Sequence, residues 1–387
     1  MRKFLLLFFI NALFLSSCDL FEQEVDLVKE PIDISTYIST SPLQLDAAVN
    51  YQYAAAVPYG TNEKNKFDIY LADATAPTPL VIWIHGGGFV TGDRSLSPQN
   101  FGGQDPTDIV TAFLSQGISF ASISYRLLDA QNETEGVIKS LNDSKRALQY
   151  LKLYAEEFNI DPDRIGIFGA SAGAGTALYL GLSDDLAIST SQTDDIVLTQ
   201  STSVKAIGAL ETQATYDIPK WDQLVFKPLA DHGLKLDSKS LPNAVLGPEG
   251  DLPLSVGLLS AVPSIAATIN SFYGISSVSD LYSNETSAYR KQVEILSLMD
   301  ANDPPIYLQN SIWNLEPDES MYDLNNPESI GALFNFVFHH AYQAKALHDR
   351  AEEVGLKHVS IIPELGIEDE NTKDFVTFFI GELKEAI

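Results

Sequence analysis

Short β-branched and aromatic runs alternate along this chain with longer segments whose apolar residues recur every three to four positions. Eight runs read as strands, at 51–57, 66–72, 80–85, 118–126, 164–169, 203–210, 305–309 and 358–363. Helical spacing falls at 106–116, 138–157, 171–182, 340–354 and 371–385. Strands separated by helices of this length predict a mostly parallel sheet with right-handed crossovers. Gly355, after Arg350-Ala351-Glu352-Glu353-Val354, ends one helix and hands the chain to the last strand.

The interval from Glu211 to Asp303 is too long for a simple connection between the sixth and seventh strands. Residues 252–273 are apolar but interrupted by Pro253, Gly257 and Pro263, which argues against a membrane span. Residues 279–299 read as amphipathic, with Leu281, Tyr289, Val293, Leu296 and Met299 roughly on one face. Most of these, with Trp221, Phe226, Phe272 and Tyr273, read as packing residues, and a minority as the lining of a pocket.

Charge narrows the partners. The chain carries 52 acidic against 24 basic residues, a formal charge of −28. Its start, Met1-Arg2-Lys3 followed by an apolar run from Phe4 to Leu15, has the charged opening and apolar core of a secretory signal. Leu15-Ser16-Ser17-Cys18 resembles a bacterial lipobox, which implies cleavage before Cys18, lipid on that residue and attachment of the exported chain to a bacterial membrane. Removing residues 1–17 takes away two basic residues and no acidic one, moving the charge from −28 to −30. Nucleic acid and anionic partners are therefore disfavoured. Residues 18–45, rich in Glu, Asp, Ser and Thr, read as an acidic tether, and 46–387 is long enough for one large α/β domain with an insertion. Cys18 is the single cysteine, so no disulfide forms within one chain.

The most informative motif is Ile165-Gly166-Ile167-Phe168-Gly169-Ala170-Ser171-Ala172-Gly173, a serine between glycines where a strand turns into an Ala/Gly/Leu-rich helix. A turn this tight raises the serine above the sheet edge, and the flanking glycines let strand and helix approach. Two companions accompany it: the run Leu80 to Ile84 ending in His85-Gly86-Gly87-Gly88-Phe89, and Asp161-Pro162-Asp163-Arg164 leading into the elbow strand. In order and spacing these resemble the α/β-hydrolase superfamily, most of all its carboxylesterase and lipase branch with a His-Gly-Gly-Gly oxyanion loop, the hormone-sensitive-lipase-like group. The resemblance covers residues 50–210 well and the remainder loosely. It implies an α/β-hydrolase fold with a mostly parallel eight-stranded sheet, and a cap insertion at about 212–303 over the serine. It also implies Ser171 as nucleophile, with the backbone N–H groups of Gly87, Gly88 and Ala172 holding the oxyanion.

The chain departs from the family pattern in the base and the acid. The usual histidine follows the eighth strand, yet Val359 to Ile387 holds none, and Pro363-Glu364-Leu365-Gly366 stands in its place. His358 begins that strand, some 20 Å from the active edge at ~3.3 Å per residue. His85 belongs to the glycine loop, while His232 and His348 read as surface or packing residues. That leaves His339 and His340, expected at the start of the helix after the seventh strand, on the side of the sheet where active-site loops lie. For the acid, Asn314 occupies the nearest family position; Glu211, directly after the sixth strand, competes with Glu316, Asp318 and Asp323.

Two functions follow. The first is a serine carboxylesterase acting on neutral esters through an acyl-enzyme on Ser171, with His340 or His339 as base and Glu211 as acid, and with no cofactor and no metal. Its substrate is a small-molecule or carbohydrate-linked ester, a choice that rests on analogy with the family. The alternative is an inactive α/β-hydrolase-like binding protein that kept the elbow and lost the base.

Overall fold

In the computed structural model the described residues are 27–98, 101, 105–129, 131–231, 263–311, 326–369, 371 and 374–384. The signal and lipobox through Cys18, together with His232, Asn314, Glu316, Asp318 and Asp323, lie outside them. Among the described residues no helix is long and apolar enough to cross a membrane.

One sheet organises the chain, built from β1 (Tyr51–Pro58), β2 (Lys66–Ala72), β3 (Thr78–Ile84), β4 (Ser119–Ile123), β5 (Ile160–Ala170), β6 (Ala206–Leu210), β7 (Ile306–Gln309), β8 (His358–Ile362) and β9 (Ile367–Glu368). Their spatial order is β1-β2-β4-β3-β5-β6-β7-β8-β9. From β4 through β8 every pairing is parallel, while β1, β2 and β9 join antiparallel at the two edges. The eight expected strands are all present. A ninth, β9, adds to them: Gly366, at φ 65°, reverses the chain after β8 so that Ile367 and Glu368 pair back on it.

The central strands are apolar at successive positions because both faces are covered. Every residue of β3, β4 and β6 is buried. Leu80, Ile82 and Ile84 face a core shared with α2 (Ile138–Leu153) and α3 (Ala172–Leu182). Val81 and Trp83 face a second core with α1 (Pro106–Ser115) and the C-terminal helix Phe375–Lys384. Phe379 of that last helix seats on Gly166 and Gly208, where any Cβ would strike its ring.

Between β6 and β7 the described part of the insertion holds α4 (Lys227–Asp231), α5 (Pro263–Tyr273) and α6 (Asn284–Gln292). The amphipathic stretch 279–299 folds as three pieces, a 3-10 turn at Val278–Tyr282, α6, and a second turn at Leu296–Leu298. Ser283 stops the first and caps α6 by accepting from the Thr286 N–H, so polar capping overrides the apolar periodicity.

After β7 come α7 (Pro327–Phe338) and α8 (Ala341–Val354), and the C-terminal helix is α9 (Phe375–Lys384). From the sequence, His339 and His340 are expected together at the start of one helix. They are instead the junction of two: His339 is the C-cap of α7 and His340 the N-cap of α8.

Candidate active site

The elbow is strained as the tight turn demands. Ser171 sits at φ 53° and ψ −121°, a left-handed conformation costly for a residue with a Cβ. It is held there by its N–H, which donates to the Leu210 carbonyl at 2.9 Å, and by its carbonyl, which accepts from the Gly175 N–H at 3.1 Å. Gly169 and Gly173 are obligatory because a Cβ on either would run into the Ile84 carbonyl.

The hydroxyl of Ser171 meets Nε2 of His339 at 2.8 Å, and Nδ1 of the same ring lies 3.1 Å from the Asn335 carbonyl. A carbonyl only accepts, so Nδ1 carries the proton and Nε2 presents its lone pair to the serine. Burial pushes His339 down to about 4 from the usual histidine range, against the Asn335 contact, which raises it. The ring is therefore neutral at pH 7. Its position at the C-terminus of α7 puts a partial negative charge beside any positive charge it gains.

Three amide side chains hold the junction that carries His339. Gln343 donates to the Val337 carbonyl at 3.3 Å, Gln213 to Phe338 at 2.9 Å, and Asn310 to His339 at 2.7 Å. These are the last carbonyls of α7, which no intrahelical N–H reaches. Gln213 follows β6 and Asn310 follows β7, so two strand ends position the ring from below. His340 turns the other way: fully buried, it accepts from the Tyr342 N–H at 3.1 Å and packs its ring against Phe336 and Tyr342.

Opposite His339 runs the glycine loop. Gly87 and Gly88 take φ 99° and 60°, and the Gly87 carbonyl accepts from the N–H groups of Val90 and Thr91, which curls the loop beside the elbow. Gly86 backs onto the Ala170 carbonyl and Cβ of Ser171, closely enough to exclude a side chain. His85 shapes the turn from beneath, with Nδ1 2.7 Å from the Gly86 carbonyl and its ring stacked on Tyr125 at 4.2 Å. Burial holds His85 at about 4 as well.

Serine, imidazole and loop open onto one cavity of 410 Å³, also lined by Ala172, Phe89, Tyr216, Trp221, Phe272 and Phe338. Its roof comes from the insertion after β6. The Tyr216 hydroxyl donates to the Ala172 carbonyl at 2.7 Å, the Tyr273 hydroxyl donates to the Tyr216 carbonyl at 2.7 Å, and Trp221 stands edge-on to Phe338.

A solved structure described as a truncated form of a carbohydrate esterase from gut microbiota superimposes with a TM-score of 0.53, covering 88% of this chain and 99% of the other at 17% identity. The fold is that of the α/β-hydrolases. Residues 67–231 of this chain match the family model described as BD-FAE. Curated relatives align over the same kind of short stretch. Gut esterase 1 of Caenorhabditis elegans is 34% identical over 110 residues, 27% of this chain and 18% of its own. Acetylcholinesterase of Gallus gallus is 35% identical over 102 residues, 26% of this chain and 13% of its own. The alignments thus span less than a fifth of either relative.

Within this α/β-hydrolase fold, the residues singled out from sequence are placed as follows. Ser171, His339, Gly87, Gly88 and Ala172 share the cavity wall. His340 is in the core. Glu211 is buried at the same sheet edge, at φ 51°, where its Oε1 accepts from the N–H and the hydroxyl of Ser311 at 2.9 and 3.2 Å. Trp221 and Phe272 line the cavity, whereas Phe226 does not and Tyr273 supports it from behind. Sequence reasoning missed Tyr216, Phe338, Asn335 and the amides Gln213, Asn310 and Gln343. Gln213 and Tyr216 had a usable signal, since they follow directly after the sixth strand; Asn335 acts through its backbone and left none.

Proposed function

We propose that the protein is a serine carboxylic ester hydrolase, and the observation that carries this reading is the 2.8 Å contact between Ser171 Oγ and His339 Nε2 at the mouth of the cavity. Ser171 attacks the ester carbonyl as its proton passes to Nε2. The imidazolium so formed keeps its Nδ1–H on the Asn335 carbonyl and faces the C-terminus of α7, an arrangement that stabilises a histidine cation by about 0.3–2 kcal/mol. Glu211 is the carboxylate assigned to offset the same charge. The N–H groups of Gly87, Gly88 and Ala172 receive the oxyanion. Collapse expels the alcohol, which takes the proton back from His339. Water then attacks the acyl group, again losing a proton to His339, and frees the acid and Ser171. No step calls for a cofactor.

The aromatic lining and the strong negative charge of the chain favour neutral esters with a short or aromatic acyl group, free or linked to carbohydrate. We also propose that the chain is exported and anchored through lipid on Cys18, a reading supported by the lipobox-like Leu15-Ser16-Ser17-Cys18.

Labelling with a fluorophosphonate probe tests the assignment. Wild type is expected to label, and Ser171→Ala and His339→Ala to abolish labelling while His340→Gln retains it in whatever fraction folds. A folded wild type that takes no label would overturn the esterase reading in favour of a binding protein.

A further inference from the structure

At the sheet edge opposite Ser171, the end of α8 and the start of β8 bring two imidazoles and a carboxylate to one point. His348 and Glu352 lie one turn apart on α8, and His358 opens β8. Nε2 of His358 is 3.2 Å from Nδ1 of His348 and 3.3 Å from Oε1 of Glu352. All three ligand atoms lie within 4.8 Å of one another.

The orientation of His358 makes the cluster more than a meeting of polar groups. Its Nδ1 lies 2.9 Å from the Leu356 carbonyl, which only accepts, so Nδ1 carries a proton and Nε2 is the ring atom turned on Glu352 and His348. With Nδ1 so engaged, Nε2 and the Glu352 oxygen 3.3 Å away are placed to share a cation, whether a proton or a metal ion. A tetrahedral ion with ligands at about 2.0–2.1 Å holds those ligands about 3.3–3.4 Å apart, close to the 3.2 and 3.3 Å from His358 Nε2 to its two partners. A backbone carbonyl on the far ring nitrogen is also the usual device for fixing the tautomer of a ligating histidine. The buried Ser360 hydroxyl lies 3.0 Å from the same Nδ1 of His348 and closes the inner side.

We propose that His348, Glu352 and His358 form a binding site for a divalent transition-metal ion of the zinc class. Two imidazole nitrogens and one carboxylate oxygen suit zinc over magnesium or calcium, which take oxygen shells. Water fills the fourth position. The site lies at the amino end of β8, away from the carboxyl ends of the strands where Ser171 sits, so the ion is structural: it pins the last turns of α8 to the sheet. It is independent of the hydrolase reading.

The test uses the tag-free chain stripped with a chelator and titrated with Zn²⁺ against a chromophoric competitor, with Mg²⁺ as control. One equivalent of Zn²⁺ is expected to bind and Mg²⁺ not to compete. His348→Gln and His358→Gln each weaken binding by about tenfold or more, and Glu352→Gln, whose side chain is exposed and not needed for folding, does so by a similar factor. His339→Ala leaves the affinity unchanged. Zinc at about a hundredfold excess over Kd raises Tm by about 4 °C in wild type and not in the variants. Absence of stoichiometric binding, or binding that survives unchanged in Glu352→Gln and in the histidine variants, overturns the proposal and leaves a hydrogen-bonded histidine pair.

Discussion

The Asn310 side chain donates to the backbone carbonyl of His339 at 2.7 Å, tying the end of β7 to the residue that faces Ser171. Asn310 is fully buried, so the bond has no water to replace it. Asn310→Ala frees the α7 to α8 junction on one side and removes this donor from the His339 carbonyl. A shift of about 1 Å in a reacting group costs on the order of a hundredfold in rate. The expected result is a kcat lowered by about tenfold to a hundredfold with KM nearly unchanged, because Asn310 does not line the cavity. Steady-state kinetics with a chromogenic ester decides it: an equal loss in a KM-only pattern would assign Asn310 to substrate binding instead.

Burial of His339 predicts an unusual pH profile. A base must be neutral to accept the serine proton, and with its value pushed down to about 4 the ring stays neutral well below the usual histidine range. Plots of kcat/KM against pH should therefore hold a plateau from neutrality to about pH 5 and fall only near 4. An acid limb centred near 6.5 would show that the ring is solvated in the working enzyme.

Most of the fold was legible because the central strands are buried on both faces, and a run such as Leu80 to Ile84 admits few other readings. The elbow was legible for a different reason. Gly169 and Gly173 are fixed by contacts with Ile84, so steric need writes them into the sequence on either side of Ser171. His339 was found only as one of a pair, since the choice between it and His340 depends on the helix break between them. That break is held by amide bonds from Gln213 and Asn310, distant in sequence, and from Gln343 in the following helix, and none of the three has a recognisable signature. The orienting acceptor of His339 is a backbone carbonyl, which any residue at 335 would supply.

Acid lability follows from two histidines held neutral. His85 and His339 both sit at about 4, pulled down first by burial, whereas each returns to about 6.5 on unfolding. Between those values the unfolded chain binds protons that the folded chain refuses, so stability is lost as pH falls from about 6.5 to about 4 and levels off with respect to these groups below that. Carboxylates with lowered values, Asp93, Glu133 and Asp185 among them, act lower, near and below 4. Denaturant midpoints measured between pH 7 and pH 5 are expected to fall, with a linkage slope approaching about two protons taken up on unfolding. A flat midpoint across that window would contradict the assignment for both rings.

Glu211 separates a charge effect from a scaffold effect. Its Oε1 accepts from the Ser311 N–H and hydroxyl, bracing the ends of β6 and β7 against each other. Glutamine retains an acceptor for Ser311 but carries no charge, so Glu211→Gln preserves the brace and removes only the electrostatic support for the imidazolium. If the carboxylate offsets the charge on His339 as assigned, kcat falls by about a hundredfold or more, in keeping with the loss seen when a triad acid is made neutral. Tm stays within a few degrees and KM is little changed. A Glu211→Gln enzyme of near wild-type kcat would restrict Glu211 to the brace, leaving the Asn335 carbonyl and the C-terminus of α7 as the described groups that stabilise the protonated base.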